Sequence, residues 1–340
     1  MDYSAASAYT YAKMSAMLSR LFVGEGAMPL FEAKSLAGLW DIVFKTPVPQ
    51  LPESLLANKI ETEAVNRFIS QYEKILDIFS SPDPFLKALI KRFDVENLKL
   101  ISASLSLNEM EMPCIVDLKQ YAELDYSAWP DIKKITANSR FSWYDKVPLA
   151  DERVEMDIRL DLEEIQFLWK TVHKISDSSR NVLVEYFQKL FSVRNMLWAL
   201  RLKVYYKMQN EDIVKKLFYV SKEPSPEDPI CRYAYEVLSR ETDNYDAWKN
   251  WRFASFLNFY EDGNIWKIDP VWIEQKFRFG EAGRARKIFH ENPMTYASLV
   301  MFFILKQQEV DCIRAATEAL RLNATKADAM FASGVQFEEM

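Results

Sequence analysis

The sequence has few of the residues from which most catalytic sites are built. Its 340 residues include 7 glycines, 2 histidines and 3 cysteines. Few glycines leave few positions with a positive φ and few loops that can wrap a phosphate. No metalloprotease, CxxC, nucleophile-elbow or P-loop motif occurs, and neither His173 nor His290 has an obvious metal-ligating or nucleophilic neighbour in the sequence. The sequence therefore predicts a protein that is not an enzyme and holds no cofactor or metal.

Charge and hydropathy argue against three further classes. The 43 basic and 49 acidic residues give a net charge of −6, unlike the basic footprint of a nucleic-acid binder. The longest apolar run, residues 296–305, is far short of the roughly 20 residues of a membrane span. The first residues lack the pattern of a signal peptide. The three cysteines are far apart and odd in number, which predicts reduced thiols in the core. We therefore expect a cytoplasmic protein with no membrane span.

Helical periodicity covers most of the chain. Apolar residues recur every three or four positions, and clusters of Pro, Asp and Ser separate the periodic segments. Asp83 followed by Pro84 is typical of a helix start, whereas strand signals are thin. The pattern predicts an all-α fold, with helices over residues 9–22, 29–45 (interrupted near Ser35), 55–79, 85–107, 129–145, 151–176, 179–208, 230–240, 245–260, 271–289 and 295–322.

Three of the long predicted helices share a short pattern. Val95, Val193 and Val310 are each followed by a charged residue, and the spacing between copies is near 100 residues. Such an echo predicts three similar helical subdomains, approximately residues 1–115, 116–220 and 221–340. Chance similarity between apolar helices is the alternative.

The polar residues of this pattern are the first candidate functional set. A charged or amide side chain beside an apolar helix face needs water, a partner or a shared cavity. If the three helices surround one axis, these positions line a water-filled funnel and contact a partner. Ordinary surface polarity is the alternative. The set comprises Glu96, Asn97, Arg194, Asn195 and Asp311.

A basic segment around two glycines is the second candidate. Glycine permits close approach of an anion, and cations surround Gly280 and Gly283. The segment lacks the Lys-Ser/Thr pair of a P-loop, which favours a docking patch over phosphate chemistry. A solvated basic stretch of helix explains the same pattern. The patch comprises Arg278, Arg284, Arg286 and Lys287.

Four features together resemble one family, the C subunit of bacterial and archaeal A/V-type rotary ATPases, which is the relative of the d subunit of the eukaryotic V-ATPase. They are the opening Tyr11-Ala-Lys-Met-Ser-Ala-Met-Leu-Ser-Arg-Leu21, the segment 30–44 with Ser35-Leu36 and Leu39-Trp40, the repeated Asp94-Val-Glu-Asn-Leu98, and Asn292-Pro293 leading into 299–305 and Glu309-Val-Asp-Cys-Ile-Arg314. Together they span nearly the whole chain.

This resemblance implies three helical subdomains arranged as a funnel around a pseudo-threefold axis. It also implies a non-catalytic component of the central stalk, a socket between the rotor shaft and the proteolipid ring of the membrane sector. Such a component lies on the cytoplasmic side of the membrane, peripheral through the complex, and serves ATP-linked proton or sodium transport. The competing interpretation is a helical-repeat adaptor of the tetratricopeptide kind, but no 34-residue period is found.

Overall fold

The computed structural model describes residues 3–260 and 265–335, and within them the chain is all-α as predicted, with no strand. Its helices in chain order are α1 Tyr3–Leu18, α2 Met28–Phe31, α3 Leu36–Phe44, α4 Glu53–Leu76, α5 Pro84–Ser106, α6 Ile132–Thr136, α7 Arg153–Val172, α8 Arg180–Val204, α9 Asn210–Val214, α10 Arg232–Leu238, α11 Pro270–Glu291, α12 Tyr296–Leu322 and α13 Lys326–Ser333.

Helix boundaries follow the capping residues that the sequence displays. Asp83 accepts a hydrogen bond from the Phe85 amide at 2.8 Å, and Pro84 occupies the first turn of α5. Ser35 caps α3 by accepting from the Gly38 amide, and the predicted interruption of the segment 29–45 near this serine is confirmed by the separate helices α2 and α3.

Two predicted helices are mostly absent. Residues 129–145 contain only α6, and the described part of residues 245–260 contains only 3-10 turns at Tyr245–Trp248 and Ala254–Phe256. Aromatic side chains in these segments pack into small local cores instead, so apolar spacing alone overstated the helix. The tail also holds an unpredicted helix, α13, which ends at Gly334 with a φ of 68°. Gly334 packs against Arg278 so closely that a Cβ would lie 2.7 Å from the Arg278 Cβ.

The buried apolar residues form one large cluster and two small ones. The large cluster joins α1–α5, the first half of α8, the end of α11 and nearly all of α12. The second half of α8 packs on residues 213–277, and the second half of α5 packs on residues 124–160. Since the large cluster draws on all three predicted subdomains, the three do not have separate cores, and their boundaries stay a prediction.

The prediction that all three cysteines lie in the core is wrong for one of them. All three are free thiols, and Cys231 and Cys312 are buried as expected, but Cys114 is exposed. It lies in the extended segment after α5, outside the apolar clusters.

Candidate functional site

The three helices that share the sequence pattern, α5, α8 and α12, start at one place. The Asp177 carboxylate, just before α8, accepts a hydrogen bond from the Tyr296 amide at the start of α12. Phe85, in the first turn of α5, lies against Phe187 of α8 with ring centroids 5.1 Å apart. Further along, Arg92 of α5 donates to Gln307 of α12 at 2.8 Å. Asp161 of α7 binds both Lys99 of α5 and Arg194 of α8, and Glu96 of α5 interacts with Arg314 of α12. Later residues of each helix thus meet later residues of the others, so the three helices are parallel. The pseudo-threefold relation itself stays a prediction.

Two of the five pattern residues are core residues, which corrects their assignment to a partner-facing surface. The Asn97 amide pairs with Val116, donating to its carbonyl at 2.8 Å and accepting from its N–H at 2.9 Å. The Asn195 amide pairs in the same way with Phe218, at 2.6 and 2.9 Å. Both asparagines are at most 1% exposed. Each satisfies the backbone of the loop that follows its helix, which fixes that loop on the core.

A second echo accompanies these asparagines, and sequence reasoning missed it. The segment between α5 and α6 contains Tyr126-Ser-Ala-Trp129, and the segment between α10 and α11 contains Tyr245-Asp-Ala-Trp248; a 3-10 turn forms at Tyr126–Ala128 and at Tyr245–Trp248. The third helix, α12, has Cys312 where the others have asparagine, and α13 follows it at once. Two of the three predicted subdomains thus contain a similar segment outside the large apolar cluster.

A cavity of about 390 Å³ lies between α5, α7, α8, α11 and α12. Apolar side chains, among them Phe187, Phe191, Phe277 and Phe303, form much of its wall. Charged side chains project from all five helices, with six cations and four acids. They are Arg92, Lys189, Arg194, Arg201, Arg278 and Arg284, and Glu164, Glu274, Glu281 and Asp311.

Most of these charges are paired across the cavity wall. Arg284 lies 2.7 Å from Glu281, and Glu274 binds both Arg201 of α8 and Arg278 of its own helix. The Arg92 guanidinium is 3.6 Å from Glu164. Such pairs hold long side chains in place, and apolar walls strengthen the field between charges.

The pKa values of two groups here depart from their ordinary values. Burial lowers the pKa of Lys189, and the nearby Arg284 lowers it further. Burial raises the pKa of Asp311, although Arg278, Arg314 and Arg92 oppose that effect. Cations therefore surround Asp311, whereas the charged neighbours of Lys189 are Arg284 and the acids Glu281 and Glu185.

The cavity combines parts of the two predicted sets. Arg194 and Asp311 of the first set and Arg278 and Arg284 of the second all line it. Glu96 lies outside the lining, half-exposed beside Arg92.

The other two members of the predicted basic patch are separate. Arg286 lines a groove on the far side of α11, and Lys287 is 72% exposed beside Glu291. The four cations therefore do not form one patch: Arg278 and Arg284 line the cavity, whereas Arg286 and Lys287 lie outside its lining.

Several lining residues were not predicted. Arg92 precedes Glu96 by one helical turn, and Arg201 follows Arg194 by seven residues, so each shares a helix face with a predicted residue. Following that face along the helix identifies both. Glu274 and Glu281 likewise lie one turn from the predicted Arg278 and Arg284, whereas Glu164 has no such signal, because α7 carries neither predicted set.

Comparison with protein families shows the family of this chain. The family model described as "ATP synthase (C/AC39) subunit" matches residues 10–329 of the chain. The chain belongs to this family. It is therefore a subunit of an A/V-type ATP synthase, and the resemblance seen in the sequence is confirmed. An uncharacterized protein of Treponema pallidum (strain Nichols) is 28% identical over 336 residues, which cover 96% of each chain.

The described part of this AC39-family chain has neither a membrane-spanning helix nor a cluster of metal-ligating side chains. In residues 3–260 and 265–335 no helix is both long and apolar enough to cross a membrane. In the same ranges no three His, Cys, Asp or Glu side chains come together as metal ligands.

A buried carboxylate also fixes the segment between α5 and α7 of this AC39-family protein. Asp94 of α5, which is not exposed, accepts hydrogen bonds from the Tyr126 hydroxyl and from the Glu123 amide at 2.9 Å. Burial raises the pKa of Asp94 to about 6, although both hydrogen bonds oppose this effect. Asp94 thus joins the loop to the same helix as Asn97.

This raised pKa predicts how stability changes with pH. The folded state holds the Asp94 proton more tightly than the unfolded state, so the contribution is full below about pH 4 and lost as the pH rises through about 6. Relative to Asp94→Asn, the wild type should lose up to about 3 kcal/mol of unfolding free energy between pH 4 and 7. Urea titrations of both proteins across this range measure the difference. A difference that stays constant with pH contradicts the prediction.

Proposed function

We propose that this protein is the non-catalytic coupling socket of the central stalk, joining the rotor shaft to the proteolipid ring on the cytoplasmic side of the membrane. The observation that carries the proposal is the cavity enclosed by the three parallel helices and α11. It gives a partner an entry into the middle of the molecule, where contacts from five helices resist rotation of one body against the other.

The rest of the fold suits the transmission of torque. The load-carrying helices are long: α5, α8 and α12 have 23, 25 and 27 residues. Helices of this length with few glycines are stiff, because each backbone N–H bonds within the helix.

A second docking surface lies away from the cavity. Large apolar side chains are exposed at the carboxyl ends of the three parallel helices: Leu107 beyond α5 is 71% exposed, Tyr206 beyond α8 is 71% exposed, and Leu322 of α12 is 67% exposed. A coupler between two bodies needs two contact faces, and exposed large apolar groups are typical of such a face.

Blocking the cavity tests the proposal. Val193 lies in the lining and Glu185 is exposed on the same helix. We expect Val193→Trp to fill the cavity and weaken retention of the shaft at least tenfold in a mild-detergent pull-down. Glu185→Trp, the matched control, should retain the shaft and the ring like the wild type.

Two results contradict the proposal. One is a wild-type chain that recovers neither shaft nor ring while other components of the complex copurify. The other is ATP hydrolysis by the purified chain that Arg284→Ala abolishes, which would make the cavity an active site.

The helical-repeat adaptor is not favoured. Its repeats need a 34-residue period, whereas the echoes here recur near 100 residues and the family match spans residues 10–329.

A further inference from the structure

The cavity and the whole chain differ in the sign of their charge. The chain carries a net charge of −6, yet the cavity lining has six cations against four acids. A surplus of two positive charges in a partly apolar enclosure acts more strongly than the same surplus on an open surface.

The surplus is concentrated where α8 faces α11. Lys189 and Arg284 lie close enough for each to disfavour the other's charge, and Arg284 already pairs with Glu281. The other acid near Lys189 is Glu185, on the exposed side of α8. Among the described residues no carboxylate lies within 4.0 Å of the Lys189 ammonium. An incoming carboxylate therefore finds a cation without a direct ion-pair partner.

The volume limits what can enter. A helix is about 10–12 Å wide with its side chains, whereas a cavity of about 390 Å³ lies in the range of small-ligand pockets, about 300–1,000 Å³. The end of a helix suits this size better than a helix lying along the cavity. A carboxylate-bearing end gains from the cations, whereas a basic end meets repulsion.

We propose that the cavity binds an acidic helix end of the rotor shaft, with carboxylates directed at Lys189 and Arg284. This rests on the proposed socket function and adds the chemistry of the partner. The phenylalanines of the wall exclude water around the contact, so each carboxylate–cation pair is held in a low-dielectric site.

Charge reversal with a matched control tests this. The probe is the purified rotor shaft of the same complex, titrated against the full chain over a series of salt concentrations. Lys189→Glu and Arg284→Glu should each raise the Kd at least tenfold at low salt and flatten its salt dependence. Lys287→Glu makes the same charge change on α11 but outside the cavity, and it should bind like the wild type.

The two variants differ in their risk to folding. Arg284→Glu replaces the direct partner of Glu281 with an acid, whereas Lys189→Glu breaks no ion pair among the described residues and places an acid near Arg284, so Lys189→Glu should lower the melting temperature less than Arg284→Glu does. The acidic-end proposal is overturned if Lys189→Glu binds the shaft as tightly as the wild type and salt does not change the Kd. The proposed socket function is then unaffected. A wild-type chain that does not bind the shaft at all overturns the socket itself.

Discussion

Asn195→Ala is expected to lower the free energy of unfolding by about 3–5 kcal/mol. The side chain is not exposed, and it serves the N–H and carbonyl of Phe218 and the carbonyl of Ile230. Alanine leaves the Phe218 N–H without this partner in the core and leaves the Phe218 carbonyl only the weak Cys231 thiol donor, at 3.1 Å, and each lost bond to a buried group costs about 1–3 kcal/mol. Urea denaturation followed by far-UV circular dichroism measures the change.

The neighbouring residue supplies the control. Arg194 is half-exposed and pairs with Asp161 at 3.4 Å, so Arg194→Ala should change stability by at most about 1 kcal/mol. Asn97→Ala should resemble Asn195→Ala, because its amide makes the same pair of backbone bonds. Equal small losses in all three variants would refute the structural role of the asparagines.

Lys306→Met is expected to cost about 3–5 kcal/mol of stability. Lys306 and Glu309 of α12 form an ion pair and are 4% and 8% exposed. Burial lowers the pKa of Lys306, although Glu309 opposes that effect. Removing the lysine leaves the Glu309 carboxylate buried with only the Phe22 amide, 3.2 Å away, as a described hydrogen-bond donor. A buried charge without its counterion is far more costly than the pair.

The double variant separates charge from packing. Gln at 309 still accepts from Phe22 and carries no charge, so Lys306→Met/Glu309→Gln should recover more than half of the loss in urea titrations at pH 7. If the double variant is as unstable as the single one, the loss comes from the packing of the lysine stem. The buried charge then plays no part.

The helices were predictable because their signals are local. Asp83 with Pro84 and the apolar spacing of 85–107 define α5 within a residue or so of its observed bounds, Pro84–Ser106. The helix predictions over the segments 129–145 and 245–260 were wrong for the opposite reason. Their aromatic residues pack against the ends of α5 and α8, and such tertiary packing overrides the local helical pattern.

The candidate site was predictable only in part. The echo located Arg194 and Asp311, and basic composition located Arg278 and Arg284, but nothing in the sequence indicated that the two sets share a cavity. The same echo assigned Asn97 and Asn195 to the surface. A polar side chain beside an apolar helix face can form its hydrogen bonds either with solvent or with a buried backbone group. Here the backbone partner lies about 20 residues away along the chain, in a loop.

The sequence by itself determined the all-α class, the family and the repeated pattern, because periodicity, capping and motif order are properties of neighbouring residues. The tertiary structure decided which charges meet. Arg92, Lys189, Arg284 and Asp311 come from four helices, and their mutual distances depend on how those helices pack. Electrostatic interaction depends on separation and burial, and neither is encoded by spacing along one helix. The cavity and its positive surplus therefore became visible only in the folded chain.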